Sequence, residues 1–217
     1  MDETAAVARR GGRPSADAAA RLGPHIIAVA TRLFLADGFE ATSIEAVAAA
    51  AGISKRTFYH RFRDKPDLFR AVVRGLIARW TPPADEDGLA LGGPLEETLR
   101  RSGRQILAAA LSPEALALYR LLIAEAPRFP ELAQIINEQG TNAGIARLGA
   151  YLEAEARAGR LVLADCRFAA EQFLNMILAA PRRRALGMGP PMSEAERERW
   201  IDRTVALFLD GCRRAGR

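Results

Sequence analysis

Apolar residues recur along this chain three and four positions apart, and no stretch alternates convincingly at period two. Ile26, Ile27, Ala30, Leu33 and Phe34 open the helical series from about Pro24, and Gly38 follows as a stop. Thr42, with Glu45 three residues on, predicts a capped second helix through "AVAAA" to Gly52. Ser54 caps a short third helix. Asp64 caps a fourth, to about Trp80, with Pro66 tolerated in its first turn. "TPPADEDGLALGGP" reads as a loop. Beyond it, Leu95, Leu99, Ile106 and Leu107 mark one helix. Ser112-Pro113 opens another through Leu116, Tyr119, Leu122 and Ile123, which "APRFP" interrupts. A long amphipathic stretch runs from Glu131 to about Ala158. Asp165 caps a helix ending near "AAPRRR", and Ser193 with Glu196 boxes the last, to about Arg213. The expectation is an all-α fold of about nine helices.

Composition agrees. Alanine is abundant, and it loses no side-chain entropy in a helix. The net charge of +5 is unevenly placed: residues 1–80 hold 13 Lys/Arg against 8 Asp/Glu, while residues 81–217 hold 18 of each. A basic first third beside a neutral body points to a polyanion bound at one end, nucleic acid or an anionic membrane. Cys166 and Cys212 stand alone, as in a reducing compartment. The N-terminus lacks the apolar core of a secretory signal, and no run reaches the roughly 18 apolar residues of a membrane helix. A cytoplasmic protein is expected.

The charge concentrates in "ISKRTFYHRFRDK", residues 53–65, where five Lys/Arg alternate with three aromatics. A helix-turn-helix accounts for the mixture. Gly52 makes the turn, Phe58 and Phe62 pack inward on Leu33, Ile44 and Val47, and the outer face meets DNA. On that face Arg56 suits guanine O6 and N7 or a phosphate, and Thr57 a base edge or a thymine methyl. Lys55, Tyr59 and His60 suit phosphates. Ser54 precedes them at the cap. Thr42 and Ser43 at the second helix and Lys65 at the fourth are expected to meet phosphates. Arg9, Arg10 and Arg13 belong to an arm, residues 1–22, suited to an adjacent minor groove.

"ATSIEAVAAAAGISKRTFYHRFRDKPDLFRAVV" resembles the DNA-binding domain of the tetracycline-repressor (TetR) family of bacterial transcriptional regulators. The resemblance rests on Thr42, the "AGIS" turn, Thr57, the aromatic-Tyr-His run 58–60, Phe62, Lys65 and Leu68, and covers residues 24–75. "LYRLLIAEAPRFPEL" is similar to a stretch of the AcrR-like branch. The resemblance implies a homodimer on a palindromic double-stranded operator and a C-terminal domain whose small-molecule effector lowers DNA affinity. Many members carry a small residue where Arg56 stands, so the operator sequence does not carry over.

The domains are then expected at 23–80 for DNA binding, including the fourth helix as linker, and 81–217 for ligand binding and dimerisation. Leu99, Gln105, Ile106, Tyr119, Leu122, Ile123, Glu125, Phe129, Asn142 and Asn175 are the candidates to line an apolar pocket. Phe168, Gln172, Met176, Trp200, Ile201, Val205, Phe208 and Cys212 are the candidates for a four-helix dimer seam. Enzyme chemistry finds little footing. His25 and His60 both fall in the DNA-binding segment, and no metal spacing or Gly-rich phosphate loop is present. No cofactor is expected. An activator of the same fold, a helical enzyme and a membrane-surface binder are the alternatives.

Overall fold

The computed structural model describes residues 16–80, 91–131, 134 and 142–212. The arm arginines Arg9, Arg10 and Arg13 lie outside these residues, as does much of the first half of the stretch expected from Glu131. Among the described residues the chain is all-α, with nine helices and no strand. They are α1 Ala16–Ala41, α2 Ile44–Ala50, α3 Lys55–Tyr59, α4 Lys65–Trp80, α5 Leu95–Ala110, α6 Pro113–Glu125, α7 Asn142–Arg157, α8 Cys166–Ala185 and α9 Glu194–Cys212.

One helix boundary departs from the sequence expectation, near a proline. α1 starts at Ala16, inside the segment expected as an arm, and carries Pro24 within it. The Ala-rich run ahead of Pro24 has enough intrinsic propensity to extend the helix through it. α8 runs past Pro181 to Ala185. A proline there cannot donate to the carbonyl four residues back, that of Ile177. The Trp200 indole N–H fills the vacancy, donating to Ile177 O at 3.1 Å and Met176 O at 3.2 Å. The capping expectations at Ser54, Asp64, Ser112, Asp165 and Ser193 agree with the hydrogen bonds their side chains accept.

The buried side chains form two cores. One gathers α1–α4 around Phe34, Phe39, Phe58 and Phe69. The other joins α5, α7, α8 and α9 around Leu99, Leu148, Phe173, Ile177, Val205 and Phe208. Gly103 lets α5 approach closely: an added Cβ would meet Ile177 Cδ1 at 3.1 Å and Ile201 Cγ2 at 3.2 Å.

α6 belongs with the first core. It turns 67° from α5 at Leu111–Ser112 and packs against α1. Leu118, Leu121, Leu122 and, just beyond its end, Phe129 enter the N-terminal core. Phe129 sits edge-on to Phe39, ring centroids 4.9 Å apart, and 5.7 Å from Phe69. Ion pairs fasten the edges: Arg79 with Glu114 at 2.8 Å, Arg70 with Glu131 at 2.9 Å, and Arg128 with Glu40.

This arrangement revises two residue sets. Ile201, Val205, Phe208 and Cys212, expected in a dimer seam, are buried in the chain's own second core. α9 packs on both α5 and α8, so its apolar stripe is covered without a partner. Of that set Phe168 is exposed, at 58%, while Gln172, Met176 and Trp200 are half-buried; Leu207, outside the set, is 67% exposed. The ten pocket candidates are scattered as well. Leu99 and Ile106 serve the second core, Leu122 and Phe129 the first. Gln105, Ile123 and Asn175 face outward. Glu125 acts electrostatically on Lys65, Tyr119 lies under the Arg182 guanidinium at 4.6 Å, and the Asn142 amide oxygen accepts from Arg167.

Candidate nucleic-acid interface

α2 and α3 are joined by a tight turn closed by local backbone hydrogen bonds, with His25 Nε2 3.3 Å from Ala51 O beside it. Ile53 N donates to Ala48 O at 2.9 Å and Gly52 N to Ala49 O at 3.1 Å. That pattern closes a helix through a left-handed residue, and Gly52 supplies it with φ 65°. Ser54 then starts α3. Its Oγ accepts from Thr57 N at 3.1 Å and lies 2.9 Å from the Thr57 hydroxyl. Phe58 is fully buried and Phe62 nearly so, in one core with Val47, Leu33 and Ile44. The inward face predicted from the sequence is therefore the observed one.

Opposite that face, Ser54, Lys55, Arg56, Tyr59 and His60 are exposed and Thr57 is partly so. Tyr59 stands edge-on to Phe58 at 5.4 Å, which holds the ring against the helix. Among the described residues no acid pairs with Arg56. Lys55 pairs with Glu45, near the start of α2. That contact holds the Glu45 carboxyl below the usual carboxylate range and raises the Lys55 ammonium, chiefly through their shared hydrogen bond.

Two expected phosphate contacts are committed elsewhere. Thr42 is 1% exposed, and its hydroxyl donates to Gly38 O at 2.8 Å. The cap of α2 is Ser43, whose Oγ accepts from Ala46 N at 3.0 Å. The sequence put that cap at Thr42; the backbone after the Gly38 kink makes it Ser43 instead. Lys65 Nζ donates to Phe39 O at 2.8 Å, Thr42 O at 3.0 Å and Glu40 O at 3.3 Å, and lies 4.3 Å from the Phe39 ring centroid. The end of α1 leaves carbonyls without intrahelical donors, and one ammonium answers three. Burial pushes the Lys65 ammonium down, with Glu125 opposing. Sequence reasoning took Lys65 for a reader because a basic residue at a helix start suits a phosphate. Only the fold shows which carbonyls it meets.

Comparison with known proteins bears on both halves of the chain. Residues 26–72 match the family model "Bacterial regulatory proteins, tetR family", and residues 97–211 match "AefR-like transcriptional repressor, C-terminal domain". The structure of a TetR-family chain from Mesorhizobium loti is 31% identical, with a TM-score of 0.79 over 89% of this chain and 98% of that one. The flavonoid-responsive regulator FrrA is 34% identical, with a TM-score of 0.73 over 91% of this chain and all of that one. Among curated relatives, the transcriptional regulator AcrR of Shigella flexneri is 44% identical over 48 residues, 22% of each chain. The repressor AcnR of Corynebacterium glutamicum is 34% identical over 77 residues, 35% of this chain. Those matches span only 22% and 41% of the two curated proteins' lengths.

Proposed function

The chain belongs to the TetR family of bacterial transcriptional regulators, and from that premise we propose that it is a repressor. It binds a two-fold symmetric operator as a homodimer and is released by a small amphipathic molecule. The observation that carries the DNA-reading part is the outer face of α3. Arg56, Thr57, Tyr59 and His60 stand on a helix whose other side is anchored by Phe58. Arg56 is the base or phosphate reader; Ser43, Ser54, Lys55, Tyr59 and His60 set the register on the backbone. The arm arginines Arg9, Arg10 and Arg13 add minor-groove contacts.

Residues 23–80 form the reading unit, and residues 81–217 carry the effector and the dimer seam, with α6 lying across both. The exposed Phe168 and Leu207, with Trp200 between the two helices, support a seam on α8 and α9. An aromatic amphipath is the effector class of choice, since a relative 34% identical over its whole length is described as flavonoid-responsive.

The test is footprinting on DNA flanking the protein's own gene, followed by titration against salt. A protected palindrome should bind at least ~10³ tighter than random duplex, with affinity falling steeply as salt rises. A flat salt response removes the DNA-binding reading. A protected site that no polyphenol releases removes the proposed effector class and leaves the rest.

A further inference from the structure

The acid on the reading face is unexpected. Glu45 is the second residue of α2 and Lys55 the first of α3, and the Gly52 turn brings these two positions side by side. The two side chains form an ion pair although each is more than half exposed, 59% and 57%. Nearby cations are also engaged: Lys65 with backbone carbonyls, and Arg63 with Asp64 at 3.4 Å. Arg56, next to Lys55 in sequence, faces no acid among the described residues.

We propose that Glu45 attenuates DNA binding by holding Lys55 away from the phosphates. This rests on the DNA-binding reading above. In the free protein the Lys55 ammonium is committed to Glu45. A phosphate must compete for it, and the Glu45 carboxylate repels that same phosphate. On the operator, the contacts of α3 hold the backbone in register, so Lys55 transfers from Glu45 to a phosphate. On random duplex the register is loose, and the transfer does not repay its cost. An exposed pair is weak, so it tunes affinity by up to about five-fold and does not block binding.

The experiment is fluorescence titration of a random duplex and of the footprinted operator between about 50 and 200 mM salt. The proteins are wild type, Glu45→Gln, Lys55→Ala and the double variant, with thermal midpoints confirming that each folds. Glu45→Gln should bind random duplex about 3–5-fold tighter. Its salt slope on random duplex should steepen by about one ion, because Lys55 is released to a phosphate. The operator should gain at least as much in affinity, because only there does the wild type give up the ion pair to bind. In the Lys55→Ala background the Glu45 change should leave the slope as it was. The proposal is overturned if Glu45→Gln leaves the random-duplex slope unchanged, if it steepens the slope equally without Lys55, or if the operator gains no affinity. No salt-dependent binding by the wild type would overturn the DNA-binding reading itself, and this inference with it.

Discussion

Lys65 and Arg56 come from one basic run, and their surroundings assign them opposite duties. Lys65 donates to three carbonyls where α1 ends and α2 begins. Lys65→Met keeps the stem over Phe39 and removes those donors, so it should lower unfolding free energy by roughly 1.5–3 kcal/mol. Arg56→Ala should leave stability within about 0.5 kcal/mol of wild type. At the preferred operator it should cost about 1–3 kcal/mol if Arg56 reads a base. Urea unfolding beside operator titration separates the two. A Lys65→Met protein of full stability that binds DNA weakly would return Lys65 to the phosphates. Trp200 is a second case of a side chain serving a backbone. Trp200→Phe keeps the ring but strands the Ile177 carbonyl beside Pro181. We expect a loss of about 1–3 kcal/mol, read as a lower thermal midpoint. A variant as stable as wild type would mean that the carbonyl finds another donor.

At the scale of elements, α6 is the joint between the two cores. Its apolar face, continued by Phe129, lies in the DNA-binding core, while Tyr119 and Arg182 tie it to α8. Phe39, which Phe129 touches, is gripped by Lys65 on one side and approached by Arg128 at 5.3 Å. A displacement of α6 therefore bears on the corner between α1 and α2, and not only on α4 as the linker. Phe129→Ala should destabilise the fold by about 3–5 kcal/mol. Phe129→Leu, milder in volume, should keep the protein folded and reduce the mutual influence of effector and operator. That influence is expected at about 1–3 kcal/mol in the wild type and must be equal in both directions. Calorimetric titration of effector with and without operator measures it. Full coupling in Phe129→Leu would place the route elsewhere, in α4 alone.

The whole molecule joins a basic first third, residues 1–80, to a neutral remainder. A symmetric operator asks for two reading heads about one helical turn, ~34–36 Å, apart. The seam must therefore fix their separation. Since Phe208 and Val205 are interior, the seam is expected on the outer stripe of α8 and α9, with Phe168 and Leu207 at its centre. Leu207→Arg puts two like charges across a self-complementary interface. Sedimentation should show a monomer, and operator affinity should fall by orders of magnitude with little loss of helicity. Phe208→Arg, by contrast, should unfold the C-terminal core. A dimeric Leu207→Arg protein would move the seam off this stripe.

Much of this molecule was legible before any coordinates. Helix periodicity, caps at Ser54, Asp64, Ser112, Asp165 and Ser193, the Gly52 turn and the inward Phe58 and Phe62 are all local signals. They depend on residues within one or two turns of each other, and such short-range rules are written directly in the order of residues. Other features depend on what lies across the fold. Whether Thr42 or Ser43 caps α2 turned on the chain direction after Gly38. Whether Lys65 faced phosphate or carbonyls turned on where α1 stopped, 23 to 26 residues earlier. Whether the stripe of α9 was seam or core turned on α5 and α8 both packing against it, and whether Phe129 lined a pocket turned on α6 leaving its sequence neighbour α5 for α1. In each case a side chain with two chemically adequate partners was offered one by packing. Burial and long-range contact, not residue type, chose between them.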